Sequence, residues 1–259
     1  MADKFIWYEL MTSDLDPALD FYRTVVGWTT SEAEQPDMRY VIWNASDRGI
    51  GGAMQLTDAM REGGAVPAWL GYIHVEDTDA KAEAIAADGG KILMQPGDIP
   101  NVGRFALVAD RGGAAFYLLT PRPRDGDGPP PPLDQYAPGN CGWHELYAAD
   151  GEKSAIDFYG GQFGWTTASE MDMGEMGTYR IFATGGEDGV GGMMDKPAQM
   201  PAGAWQYYFN VDAIDAAAER VKAGGGQVIM GPMEVPNGMW VLQGLDPQGA
   251  HFALVAPRR

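Results

Sequence analysis

Cysteine, histidine and positive charge are all scarce in this chain. The one cysteine, Cys141, excludes an internal disulfide and any site built on paired thiolates. It also lacks a basic neighbour in sequence, which makes it a poor catalytic thiol. Three histidines, His74, His144 and His251, are too few and too far apart in sequence to read as a histidine-rich centre. Against 36 acidic residues stand 18 Lys and Arg, a formal charge of -18 that repels phosphate backbones and anionic headgroups. Neither nucleic acid nor membrane is therefore expected as a partner. No apolar run approaches the ~18 residues of a membrane span, and the opening MADKFIWYELM has no apolar core ahead of a cleavage site. The expectation is a cytoplasmic protein.

What is present is a repeat. The 259 residues, 45% of them hydrophobic, suffice for two cores. WYELMTSDLDPALDFYRTVVGWTT from Trp7 returns as WHELYAADGEKSAIDFYGGQFGWTT from Trp143, and a match of this length is duplication. In the first copy, Phe5 to Thr12 reads as a strand whose alternation puts Trp7, Glu9 and Met11 on one face. Asp14 reads as the cap of a helix that carries Leu15, Leu19, Tyr22 and Val26 and ends at Gly27. Three strands follow, separated by turns at Pro36-Asp37 and Ser46 to Gly49. A unit of the same grammar starts at Trp69, with a helix from Asp77 or Asp79 to Gly89-Gly90 and strands over Lys91–Gln95, Arg104–Ala109 and Ala114–Thr120. Residues 121 to 140, with four consecutive prolines, read as an extended linker. The second half then repeats the first: Gly191-Gly192 echoes Gly51-Gly52, Trp205 echoes Trp69, and Asp246 echoes Asp110. Both Gly-Gly pairs lack the strand-to-helix context of a phosphate loop and read as bulges or points of close backbone approach.

The reading is an α+β chain of four βαβββ modules, about 5–56, 68–120, 141–195 and 204–257. They are grouped as domains 1–120 and 141–259 around the linker 121–140, with mixed, curved sheets enclosing cups. A strand followed by Asp-Leu-x-x-Ala-x-x-Phe-Tyr and closing on Gly-Trp resembles the vicinal oxygen chelate superfamily, which contains glyoxalases, extradiol dioxygenases and bleomycin-binding proteins. That resemblance implies a metal site at three strand positions. Here those positions are Trp7, Leu70 and Tyr117 in the first half and Trp143, Gln206 and Ala253 in the second. Tryptophan, leucine and alanine are not ligands, so no metal and no cofactor are expected.

Glu9 and Glu145, two residues beyond the lost ligand position and on the same strand face, are the candidate catalytic acid/base groups. His251 is the third candidate, since alternation sends it to the side of Ala253. It would partner Glu145 if the halves pair in order, or Glu9 if they are swapped. Trp7, Tyr72, Tyr117, Trp143, Gln206, Tyr208 and Trp240 are the candidate ligand-binding residues, with methionines as adaptable filler. The expected function is a metal-independent, glyoxalase-like protein holding a small molecule, with lyase or isomerase chemistry through the glutamates. Two alternatives stand beside it: sequestration of a drug or metabolite without chemistry, and a metal-dependent glyoxalase or dioxygenase with non-standard ligands. A monomer is expected, because fused halves can satisfy the pairing internally, with a homodimer as the alternative.

Overall fold

The computed structural model describes residues 3–33, 38–122 and 134–259. All four modules are present. The first is β1 (Phe5–Thr12), α1 (Leu15–Val25), β2 (Thr29–Glu32), β3 (Tyr40–Ala45) and β4 (Arg48–Gln55), followed by a short α2 (Asp58–Glu62). The second is β5 (Ala68–His74), α3 (Thr78–Ala87), β6 (Lys91–Ile99), β7 (Gly103–Ala109) and β8 (Ala115–Pro121). The third runs β9 (Cys141–Ala148), α4 (Glu152–Phe163), β10 (Thr166–Asp172), β11 (Thr178–Ala183) and β12 (Gly191–Asp195). The fourth runs β13 (Ala204–Asn210), α5 (Ile214–Ala223), β14 (Gln227–Glu234), β15 (Trp240–Leu245) and β16 (His251–Ala256). They form two curved, unclosed mixed sheets of eight strands, ordered β2-β3-β4-β1-β5-β8-β7-β6 and β10-β11-β12-β9-β13-β16-β15-β14. None of the described helices is long and apolar enough to cross a membrane.

Local departures from the expected elements have local causes. Asp77 caps α3 by accepting from Ala80 N–H at 3.0 Å, whereas Asp14 precedes α1 without a side-chain cap bond. The unexpected α2 is capped by Thr57, whose hydroxyl accepts from Met60 N–H. Strand β6 continues past Gln95 to Ile99 because register shifts between Ile92 and Gly97 let Pro96 sit in an edge strand, where its missing N–H leaves no gap in a ladder. The turn at Pro36-Asp37 lies outside the described residues, as do residues 123–133 of the linker. Beyond them, the Asn210 amide donates to the carbonyls of Gln135, Ala137 and Asn140, fastening the chain that leads into β9.

By spatial proximity the chain divides into two compact units. One comprises the described residues within 1–6, 71–133 and 144–205; the other comprises those within 7–70, 134–143 and 206–259. Each unit thus joins a module from one half of the chain to a module from the other. In the second unit the tie is a buried relay: Trp69 Nε1 donates to the Tyr22 hydroxyl (2.9 Å), which donates to Asp246 Oδ2 (3.0 Å). Asp246 also accepts from the N–H groups of Gln248 and Ala250, each at 2.9 Å. Around it, Phe21 meets Phe252, Trp28 meets Phe209 and Tyr8 meets Tyr207 edge to face. The first unit repeats the relay, with Trp205 Nε1 donating to Tyr159 and Tyr159 to Asp110 Oδ2 over the same two distances, 2.9 and 3.0 Å.

These inward rings fix the outward faces. Within the second unit Tyr8 packs inward against Tyr207, so Trp7, Glu9 and Met11 occupy the other side of β1. Tyr207 and Phe209 face the shared layer, so Gln206, Tyr208 and Asn210 occupy the outer side of β13.

The relay carries a pH signature. Burial pushes the Asp110 carboxyl up to about 6, against the opposing pull of hydrogen bonds from Ala114 N–H and the Tyr159 hydroxyl. The unfolded carboxyl titrates near ~3.9, so the folded state holds the proton more tightly and loses stability as pH rises from about 4 through 6. The loss amounts to about 2–3 kcal/mol at neutral pH. Asp110→Asn, which keeps an acceptor for Ala114 N–H, is expected to gain that amount relative to wild type between pH 4 and pH 7 in urea unfolding. A stability difference that is the same at both pH values would contradict it.

Candidate functional site

The outward faces of β1 and β9 carry the same construction. Glu9 is buried, lies in register with Gly52 on the parallel neighbour β4, and accepts a hydrogen bond from the Tyr40 hydroxyl at 3.0 Å. Glu145 is likewise buried, lies in register with Gly192 on β12, and accepts from the Tyr179 hydroxyl at 3.0 Å. The glycines make this possible. A Cβ on Gly52 would stand 2.1 Å from the Tyr40 oxygen, and one on Gly192 would stand 2.1 Å from Tyr179 Cζ. Their neighbours are close-approach positions of a second kind: a Cβ on Gly51 would meet the Tyr8 carbonyl at 2.1 Å, and one on Gly191 the His144 carbonyl at 2.2 Å. Each Gly-Gly pair therefore seats a tyrosine on one face of its strand and lets backbone pass on the other.

The surroundings of the two pairs differ. In the first module Trp7 Nε1 donates to the Tyr40 hydroxyl at 2.9 Å, giving a chain Trp7–Tyr40–Glu9. Beside it Met11, Met54 and Leu56 form an apolar cluster that packs Tyr40 and Leu70. Trp143, the duplicate of Trp7, instead packs against the cluster of Tyr208, Val241, Ala253 and Val255, together with Met230, Val235 and Met239. Tyr208 accepts from Gln243 Nε2 at 2.6 Å. In the first unit Tyr72 and Tyr117 are register partners with rings stacked at 4.3 Å and 15°.

His251 and Trp240 lie on opposite sides of their adjacent strands. His251 is exposed at the start of β16 and makes no hydrogen bond or ion pair with any described residue, so it is joined to neither glutamate. It shares the second unit with Glu9. Its neighbour Phe252 packs against Phe21 and Tyr22, which leaves His251 on the side of β16 that carries Ala253 of the outer cluster. Trp240 alternates with Val241 of the outer cluster and so lies on the opposite side of β15, where the Arg259 guanidinium covers its ring at 4.9 Å.

Other groups are occupied structurally. His144 stacks on Phe5 with ring centroids 4.7 Å apart, and its Nδ1 lies 2.9 Å from the Val190 carbonyl; burial lowers its pKa to about 4. Burial pushes the Cys141 thiol up to about 12, which removes thiolate reactivity. Partly exposed His74 lies 3.6 Å from Asp3. Sequence reasoning missed Tyr40, Tyr179 and Gln243. The first two were readable, since Tyr40 pairs with Met54, two residues beyond Gly51-Gly52, and Tyr179 precedes Arg180, the partner of Met193 just after Gly191-Gly192, but hairpins of different length hide the match.

Of the six strand positions at which the fold implies a metal, only Tyr117 and Gln206 carry a side-chain oxygen. Leu70 packs among methionines, Ala253 is fully buried in an apolar cluster, and Trp7 spends its indole N–H on Tyr40. No group of three or more His, Cys, Asp or Glu among the described residues is placed to hold an ion. These residues do not fit a conventional divalent centre.

The fold and its paired sites define a class of protein. The chain belongs to the Glyoxalase/Bleomycin resistance protein/Dioxygenase superfamily, whose model matches residues 4–118 and 140–254. Among its relatives, a Mycobacterium tuberculosis protein named as a glyoxylase, CFP32, is 32% identical over 97% of this chain and 94% of its own. The anthracycline biosynthesis protein DnrV of Streptomyces peucetius is 30% identical over 97% of this chain and 92% of its own. Among solved structures, 2,2',3-trihydroxybiphenyl 1,2-dioxygenase from Sphingomonas wittichii superposes with a TM-score of 0.67 at 12% identity, covering 99% of this chain and 91% of that one. The Mn(II)-bound glyoxalase from Novosphingobium aromaticivorans gives 0.65 at 12% identity, covering 99% and 82%. At these identities the likeness is one of fold.

The glycine seats give a direct test. Gly52 has no left-handed backbone requirement, so the obstacle to a side chain is the Tyr40 ring alone. Gly52→Ala is expected to cost about 1–3 kcal/mol through overpacking. In a double-mutant cycle, Tyr40→Ala is expected to abolish that penalty. A neutral Gly52→Ala would show that the tyrosine is not seated as described.

Proposed function

We propose that this protein binds small organic carbonyl compounds on the outward faces of β1 and β9 and moves a proton on them, with each Glu–Tyr pair as the acid/base unit and no metal required. The observation that carries this reading is the duplicated 3.0 Å hydrogen bond from Tyr40 to Glu9 and from Tyr179 to Glu145, each over a glycine. A buried carboxylate is rarely kept in both copies of a duplication without a use. The carboxylate takes a proton from the carbon beside a carbonyl. The tyrosine hydroxyl turns from the carboxylate to the oxygen on which charge develops. In an α-hydroxy carbonyl compound, return of the proton to the former carbonyl carbon, with the hydroxyl proton passing through the tyrosine to the former carbonyl oxygen, is isomerisation; departure of a β-substituent with the proton is elimination. Both are lyase or isomerase chemistry.

A second reading, sequestration without chemistry, is favoured by the apolar packing around Met11, Met54 and Leu70 and around Trp143 and Tyr208. In both readings the partner is a small molecule. We place the protein in the cytoplasm as a monomer, on the charge and duplication arguments above.

The test is hydrogen–deuterium exchange at carbon, followed by proton NMR, on a panel of α-hydroxy ketones and 2-oxoaldehydes in D2O. Wild type is expected to catalyse exchange in at least one compound, and Glu9→Gln with Glu145→Gln to lower the rate by about 10²–10⁴. Undiminished exchange in the double variant would end the acid/base reading. Saturable binding with no exchange in wild type would favour sequestration.

A further inference from the structure

Gln206 is the polar side chain that neither the fold nor the proton-transfer reading uses. The residue is only 8% exposed, yet its amide makes no hydrogen bond to any described residue. Gln248 Oε1, not the Gln206 amide, is the enclosed side-chain polar atom left without a partner among the described residues, so the Gln206 amide keeps an opening through which a ligand can reach it. The duplicate position holds Leu70, packed among methionines, so this strand position does not demand a polar group. By alternation along β13, Gln206 stands on the same outer side as Tyr208, about 7 Å away along the strand. Tyr208 accepts from the Gln243 amide at 2.6 Å, and the Trp143 ring packs against the Tyr208 cluster. All four residues lie in the second unit.

We propose that this face binds a flat, uncharged ring compound bearing a neutral donor–acceptor edge, a lactam being the simplest case. The inference rests on the small-molecule reading above and names a ligand class for it. A carboxamide offers one acceptor oxygen and two N–H donors in a plane, which matches the adjacent N–H and C=O of a lactam in a two-point contact. Trp143 supplies a surface for the ring, with Met230 and Met239 as adaptable packing around it. Charge excludes the alternatives: β13 to β16 contain no lysine or arginine, and Arg259 is committed to Trp240 on the other side of β15. A carboxylate or phosphate would find no fixed cation on these strands, on a protein of net charge -18.

The experiment uses the full chain and three probes of matched shape: 2-quinolone, which has the lactam edge; quinoline, which lacks it; and quinaldate, which is anionic. Binding is followed by saturation-transfer NMR titration. Saturable binding of 2-quinolone is expected, weakened roughly five- to tenfold by Gln206→Leu, while the response to quinoline is unchanged. Leucine already occupies the duplicate position. If that variant nonetheless melts early, Gln206→Glu keeps the shape, removes the amide donors and is expected to weaken 2-quinolone at least as much. Failure of wild type to bind 2-quinolone, an unchanged affinity in a folded variant, or equal affinity for quinaldate would each overturn the proposal. A chain that exchanges protons but ignores 2-quinolone overturns this inference alone. A chain that binds 2-quinolone through Gln206 but exchanges nothing overturns the acid/base reading alone.

Discussion

The buried hydrogen bond from a helix tyrosine to a turn aspartate is the constraint on which the rest of each unit depends. Tyr22 reaches Asp246 and Tyr159 reaches Asp110, each receiving a tryptophan N–H in return. Burial disfavours the ionised aspartate, so the pair holds only while its backbone donors and the tyrosine stay in place. The aspartates open the turns before β16 and β8, and their acceptance of Ala250 and Ala114 N–H shapes those turns. One interaction thus fixes a helix, a turn and the start of a strand together. It also commits one side of each strand to an aromatic interior, leaving the other side for a site.

What the outward side can do follows from glycine. On a strand, glycine weakens packing and needs a reason. At Gly52 and Gly192 the reason is a tyrosine ring lying where a Cβ would be, held against the glutamate of the adjacent strand. At the strand positions where the fold implies metal ligands, this chain carries Trp7, Leu70, Tyr117, Trp143, Gln206 and Ala253.

Much of the fold was legible because the chain states it twice. The repeat from Trp7 and Trp143 gives the module, and the echoes at Gly51-Gly52, Trp69 and Asp110 give its completion. The purpose of those echoes was less legible. Asp110 and Asp246 read as turn residues, while their part in the relay depends on tyrosines from helices far away in sequence. The candidate site divided similarly. Strand alternation put Glu9 and Glu145 on one face of their strands, but it could not reveal which side of β15 would hold Trp240. Tyr40 and Tyr179 stayed hidden because hairpin length offsets their numbering, although each lies over the second glycine of its Gly-Gly pair.

The central claim is that a glutamate beside a glycine-seated tyrosine is the reacting group. The most direct measurement is a crystal structure soaked with whichever carbonyl compound the protein exchanges. The account predicts the exchanging carbon within about 3.5 Å of the Glu9 or Glu145 carboxylate, with the carbonyl oxygen in reach of Tyr40 or Tyr179. A compound bound with that carbon remote from both carboxylates, or held through an ion coordinated elsewhere, would contradict it.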